Sequence, residues 1–98
     1  MNIEKEFAGS ACIMKVSGRL DTTTAPALEA TATETVANCD QLVLDFAGLE
    51  YISSAGLRVI LKAQKSMAAK GGMIIKNVNE TIMEIFEITG FSDILTIE

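Results

Sequence analysis

Residues 49–60 read LEYISSAGLRVI: an apolar approach, two adjacent serines, Ala-Gly, and then the start of a helical pattern. What lies on either side of this junction sets the fold. Upstream, QLVLDF (41–46) is rich in Val, Leu and Phe, bounded by Asn38 and Asp40 before it and Gly48 after it, and reads as a central strand. Downstream, from about Ser54 to Lys70, Leu57, Ile60, Leu61, Met67 and Ala68 recur at helical spacing, while Arg58, Lys62 and Lys65 form a separate basic stripe. Gly71-Gly72 is expected to end that helix through the left-handed conformation glycine accepts at low cost.

Further out, residues 2–8 and 11–17 are short runs separated by Gly9-Ser10, the spacing of a tight hairpin. In the second run Cys12, Met14 and Val16 alternate with Ala11, Ile13 and Lys15, a pattern expected of a strand buried on much of both faces. Asp21, three threonines and Pro26 then suit a helix start, and Leu28, Ala32 and Val36 recur four apart between Ala25 and Asn38. After the serine junction, MIIKNV (73–78) predicts a strand. NETIMEIFEITG (79–90) predicts a helix with Ile82, Ile85 and Phe86 inward, and DILTI (93–97) a last strand. Helices and strands thus alternate after the hairpin, so the expected fold is α/β with a mixed sheet and crossover helices. In such folds binding sites gather where loops leave the carboxyl ends of strands, the position of residues 47–56.

The composition narrows the function. The 98 residues, 49% of them apolar, suit one domain spanning 1–98. A net charge of −5, from 8 basic and 13 acidic residues, works against the phosphate attraction that dominates nucleic-acid binding. Neither a membrane span nor a secretory leader is expected from the apolar runs or from MNIEKEF, which makes the cytoplasm the default location. Cys12 and Cys39 have no metal-ligand spacing and read as small core residues, and no cofactor is called for. The chain contains no histidine, the usual general base at neutral pH and the commonest metal ligand, which weakens most hydrolase and metalloenzyme readings.

The two serines therefore have three readings. Either can be a helix N-cap, worth about 1 kcal/mol, although no Glu or Gln follows three residues on to complete a capping box. A catalytic serine needs a base, and the junction holds neither histidine nor lysine. The third reading is a hydroxyl that is acted upon. A phosphoryl group at a helix N-terminus is favoured by the dipole and free amides, and adds about −1.5 to −2 charges to a surface with Asp45 and Glu50 nearby in sequence. Asp21 likewise reads as a second helix cap or part of a site, and Arg58 and Lys62 as solvated surface or as contacts for an acidic partner or a phosphate.

YISSAGLRVI, with SGRLDTTTAPAL upstream and VLDFAGL just before it, resembles the anti-sigma factor antagonists, the bacterial branch of the STAS domain (sulphate transporter and anti-sigma antagonist). The resemblance covers essentially the whole chain and implies a STAS-type mixed sheet with an N-terminal hairpin. It also implies a non-enzymatic partner switch: the unmodified antagonist binds an anti-sigma factor that is also a serine kinase, freeing the sigma factor to activate transcription. Serine phosphorylation dissociates the pair, and a metal-dependent serine phosphatase restores it. The family often shows Asp-Ser-Ser-Gly-Leu or Asp-Ser-Thr-Gly-Leu. Anchored on Gly56-Leu57, Ser54 falls on the first hydroxyl position, Ala55 replaces the second, and Ser53 stands where aspartate is frequent. The resemblance thus implies Ser54 as the acceptor, with Ser53 the alternative. The implied partner surface is Asp21, Thr22, Thr23, Thr24, Ser53, Ser54, Ala55, Gly56, Leu57, Arg58 and Lys62, on a monomer or weak dimer with no nucleic-acid partner and no membrane insertion. Two other roles stay open: a STAS accessory subunit of a transporter, for example beside an ABC-type ATPase in lipid trafficking, and a small enzyme.

Overall fold

The computed structural model describes residues 1–98. The hairpin forms as the pattern requires: β1 (Asn2–Ala8) and β2 (Ala11–Leu20) pair antiparallel, with Gly9 at φ 63° in the turn. The chain then runs through α1 (Ala25–Ala37), β3 (Gln41–Asp45), β4 (Leu49–Ile52), α2 (Ser54–Ala68), β5 (Met73–Lys76), α3 (Glu80–Thr89), a 3-10 turn at Phe91–Asp93, and β6 (Thr96–Ile97).

The sheet order is β1-β2-β3-β5-β6, parallel after the hairpin, with β4 pairing the far end of β2. Each helix carries the chain one strand further in the same direction, and right-handed crossovers that never reverse put their helices over one face. Burial follows this. Cys12, Met14, Val16, Leu42, Leu44, Phe46, Met73 and Ile75 are core residues, whereas Ile13, Val43 and Ile74, in register across β2, β3 and β5, are only half-buried. The burial expected on much of both faces of β2 is therefore complete on one face alone.

Several boundaries differ from the expectation for local reasons. In α1 the deeply buried position beyond Ala32 is Thr35, whose hydroxyl donates to Thr31 O at 2.7 Å, and Val36 is half-buried. α2 stops at Ala68 with Ala69 still right-handed, and Gly72 at φ 92° returns its amide to Met67 O at 3.0 Å. β5 stops at Lys76 because Asn77 turns to φ 61°. α3 is capped by Asn79, whose Oδ1 accepts from Ile82 N at 2.8 Å, and closed by left-handed Gly90 at φ 82°. The expected strand 93–97 is reduced to Thr96–Ile97, because the amides of Asp93, Ile94 and Leu95 turn back to the carbonyls of Gly90 and Phe91. Both cysteines are free and buried, as read.

Candidate functional site

Parallel pairing of two strand ends builds the site. β2 bulges between Gly18 and Arg19, and Arg19 and Leu20 then align with Tyr51 and Ile52 of β4. Both strands finish together, so the Asp21–Thr24 loop and the Ser53-Ser54 junction leave the sheet side by side, joined by Ser53 N donating to Leu20 O at 2.9 Å. β4 lies within residues 47–56, expected from sequence to be a connection, because its four residues give too little alternation to register as a strand.

On the β2 side Asp21 organises the loop. Its Oδ1 accepts from Thr23 Oγ1 at 2.7 Å, Thr23 N at 3.0 Å and Thr24 N at 3.2 Å. Thr24 holds the N-cap position of α1 and donates its hydroxyl to Arg19 O at 2.9 Å. Asp21 thus caps from three residues upstream, and the Thr23 hydroxyl, ahead of the two amides, holds its carboxyl below the ordinary value. The second carboxylate oxygen lies 3.9 Å from Arg19 Nε, and the Arg19 guanidinium sits 4.4 Å over the Tyr51 ring. The resemblance did not single out Arg19 or Tyr51. Their signal in sequence was an arginine just before Leu-Asp and an aromatic just before Ile-Ser, but only the register brings them together.

On the β4 side the serines separate. Ser53 holds the N-cap position in extended backbone, yet its side chain makes no capping bond, and its Oγ is buried without a partner. Ser54 is the first helical residue and is exposed. The capping reading therefore fails for the hydroxyls of both residues. The first α2 amide to return to the junction is Leu57 N, to Ser53 O at 3.0 Å. The amides of Ser54, Ala55 and Gly56 precede it and have no acceptor within the helix.

Gly56 and Leu57, included in the surface implied by the resemblance, are buried and offer a partner no surface. Gly56 instead sets the height of the helix. A Cβ there would stand 2.6 Å from Leu20 Cγ and 3.0 Å from Ile52 Cγ1, so only glycine lets α2 settle onto the ends of β2 and β4. The inner face of α2 is completed by Val59, Ile60, Ala63 and Met67. Leu61 is half-buried and Ala68 exposed, because Val59 and Ala63 turn toward α1.

Between α1 and the first turns of α2 runs a groove of about 300 Å³ that brings together Thr22, Pro26, Ala55, Arg58 and Lys62. Lys62 spans it, its Nζ 2.8 Å from Glu29 Oε1, an exposed pair worth about 0–1 kcal/mol. Asp45 does not join the serines. Its carboxylate is held by Asn77 Nδ2 at 2.9 Å and Ala47 N at 3.0 Å, and these bonds, the Asn77 one foremost, keep its carboxyl below the ordinary range.

Both carboxyl groups titrate lower in the folded chain than their ordinary value near 3.8. Their contribution to stability is present above that value and is lost as pH falls through the folded one. The urea midpoint is expected to hold between about pH 7 and 5 and to drop below about pH 4. An Asp21→Asn/Asp45→Asn double variant should be weaker at pH 7 and lose less on acidification. An acid limb as steep as that of the parent chain would rule these carboxylates out as its source.

With this geometry in place, residues 2–98 match the STAS domain family. The chain belongs to that family, within its group of anti-sigma factor antagonists. It is 30% identical over 100 residues to the anti-sigma F factor antagonist of Paenibacillus polymyxa, covering 99% of this chain and 86% of that one. Over 58 residues, 58% of this chain and half of the relative's length, it is 40% identical to BtrV of Bordetella bronchiseptica. Its fold is that of an anti-sigma factor antagonist from Mycobacterium paratuberculosis, at TM-score 0.90 and 24% identity over 98% of this chain and 83% of the other. It is also that of the Bacillus cell fate determinant SpoIIAA in its phosphorylated form, at TM-score 0.77 and 17% identity over 99% and 91%. No helix is long and apolar enough to cross a membrane.

Proposed function

We propose that this protein is a cytoplasmic anti-sigma factor antagonist that works by partner switching. Unmodified, it binds an anti-sigma factor serine kinase through the Asp21–Thr24 loop, the Ser53-Ser54 junction and the adjoining groove, and so releases the sigma factor. The kinase then transfers the γ-phosphoryl group of ATP to Ser54. The new bond is Oγ–P, the bond to the bridging oxygen of ADP breaks, and the hydroxyl proton leaves to a base on the kinase. The antagonist supplies a substrate hydroxyl and no catalytic group. Hydrolysis by a metal-dependent serine phosphatase restores the binding form.

The observation that carries the choice of residue is the contrast between an exposed Ser54 and the buried, unpartnered Oγ of Ser53. A kinase active site must surround the acceptor hydroxyl, which favours the former. Family membership supports the role, and the solved phosphorylated form of SpoIIAA supports the chemistry for that protein.

The test is incubation with a cognate anti-sigma kinase and ATP, followed by peptide mass spectrometry. Phosphate is expected within residues 47–58 of the parent chain and of Ser53→Ala, and absent from Ser54→Ala. Unmodified serines in the presence of an active kinase would sink the switch, and modification of Ser54→Ala would move the site to Ser53.

A further inference from the structure

Arg58 stands at the mouth of the groove with no carboxylate within ion-pair distance, whereas Lys62, one turn on, is held by Glu29. Its neighbours three and four residues away along α2 are Ser54, Ala55, Leu61 and Lys62. Only Ser54 among them can become an anion. Of the carboxylates on the groove and in the adjoining loop, Glu29 is engaged by Lys62 and Asp21 by Thr23, Thr24 and Arg19.

We infer that a phosphoryl group on Ser54 is clamped in cis by the Arg58 guanidinium, so that modification also withdraws the free cation from the docking groove. This rests on the reading of Ser54 as the phosphate acceptor. Residues i and i+4 of a helix have Cβ atoms roughly 5–6 Å apart, and an anion N-terminal to its cation is the favourable order. The planar guanidinium can meet a phosphate with two parallel N–H donors. Thr22, on the same groove, has a hydroxyl that makes no hydrogen bond within the chain and can add a third donor. An acidic group on the partner that docks against Arg58 in the unmodified state then loses its counter-charge at the moment a new negative charge appears beside it. One event thus acts twice on the same interface.

The clamp is testable without any kinase, on chains carrying phosphoserine placed at position 54 during translation. Titration of the phosphorus NMR signal is expected to give a second phosphate ionisation about half a pH unit lower in the parent chain than in Arg58→Ala. Arg58→Lys should fall between the two, and Lys65→Ala, off the groove, should match the parent. Coincident curves for the parent and Arg58→Ala would overturn the clamp, as would a Lys65→Ala shift as large as that of Arg58→Ala. Because the phosphate is built in, those results bear on the clamp alone, whereas a kinase that leaves Ser54 unmodified overturns the functional reading and with it the clamp's part in the switch.

Discussion

Ser54→Asp is expected to weaken binding to a cognate anti-sigma kinase by about tenfold to a hundredfold, a loss of roughly 1.4 to 2.8 kcal/mol, while Ser54→Ala binds as the parent does. The direction follows from position. Ser54 is exposed at the first turn of α2, beside the Asp21–Thr24 loop, so a charge placed there enters any interface formed by the two strand ends. The magnitude is partial because a carboxylate carries one charge against about −1.5 to −2 for a phosphoryl group, and has two acceptor oxygens against three. Thermal stability should be kept or slightly raised in Ser54→Asp, since an anion at a helix N-terminus is worth about 0.3–1 kcal/mol. Calorimetric binding and melting measured together separate the switch from simple unfolding. Equal affinities for the aspartate and alanine variants would remove Ser54 from the mechanism.

The order of elements was legible because each rests on a local pattern. The Gly9-Ser10 spacing marks the hairpin, a bounded apolar run marks β3, and helical spacing of apolar residues marks the helices. What could not be read depends on contacts between distant segments. β4 has four residues and becomes a strand only by pairing with Gly18–Leu20, across a bulge that no pattern announces. Helical spacing of apolar residues selects Leu57, Ile60, Leu61, Met67 and Ala68 for the inward face of α2, and of these Leu61 is half-buried and Ala68 exposed. The helix packs on the sheet and on α1 together, and that second contact selects Val59 and Ala63. The serine pair shows the same limit. Ser53 and Ser54 are chemically identical in sequence, and the difference between a buried and an exposed hydroxyl arises only when β4 is drawn against β2. Gly56 and Leu57 belong to the recognisable motif yet serve by packing, which is why a motif can mark a site while some of its residues never reach the surface.

Gly56→Val should destabilise the domain by about 3 kcal/mol, which for a chain of this size is roughly 15 °C in melting temperature. Glycine inside a helix is less favourable than alanine by about 1 kcal/mol, so its presence in the first turn of α2 needs a compensating contact. That contact is the close approach to Leu20 and Ile52, where a Cβ would meet Leu20 Cδ2 at 2.9 Å as well as Leu20 Cγ at 2.6 Å. Neither side chain can swing away into solvent, being 0% and 2% exposed within the main core. The helix must lift instead, which strains the bond from Ser53 N to Leu20 O and carries Ser54 away from the Asp21–Thr24 loop. Gly56→Ala separates the two effects, because its gain in helix propensity offsets part of the clash. It should remain folded at 25 °C yet bind the kinase more weakly than its small loss of stability explains. Unchanged urea midpoints for both variants would show that α2 is not seated by this glycine. Full binding by a destabilised Gly56→Ala would show that the height of the helix does not set the geometry of the switch.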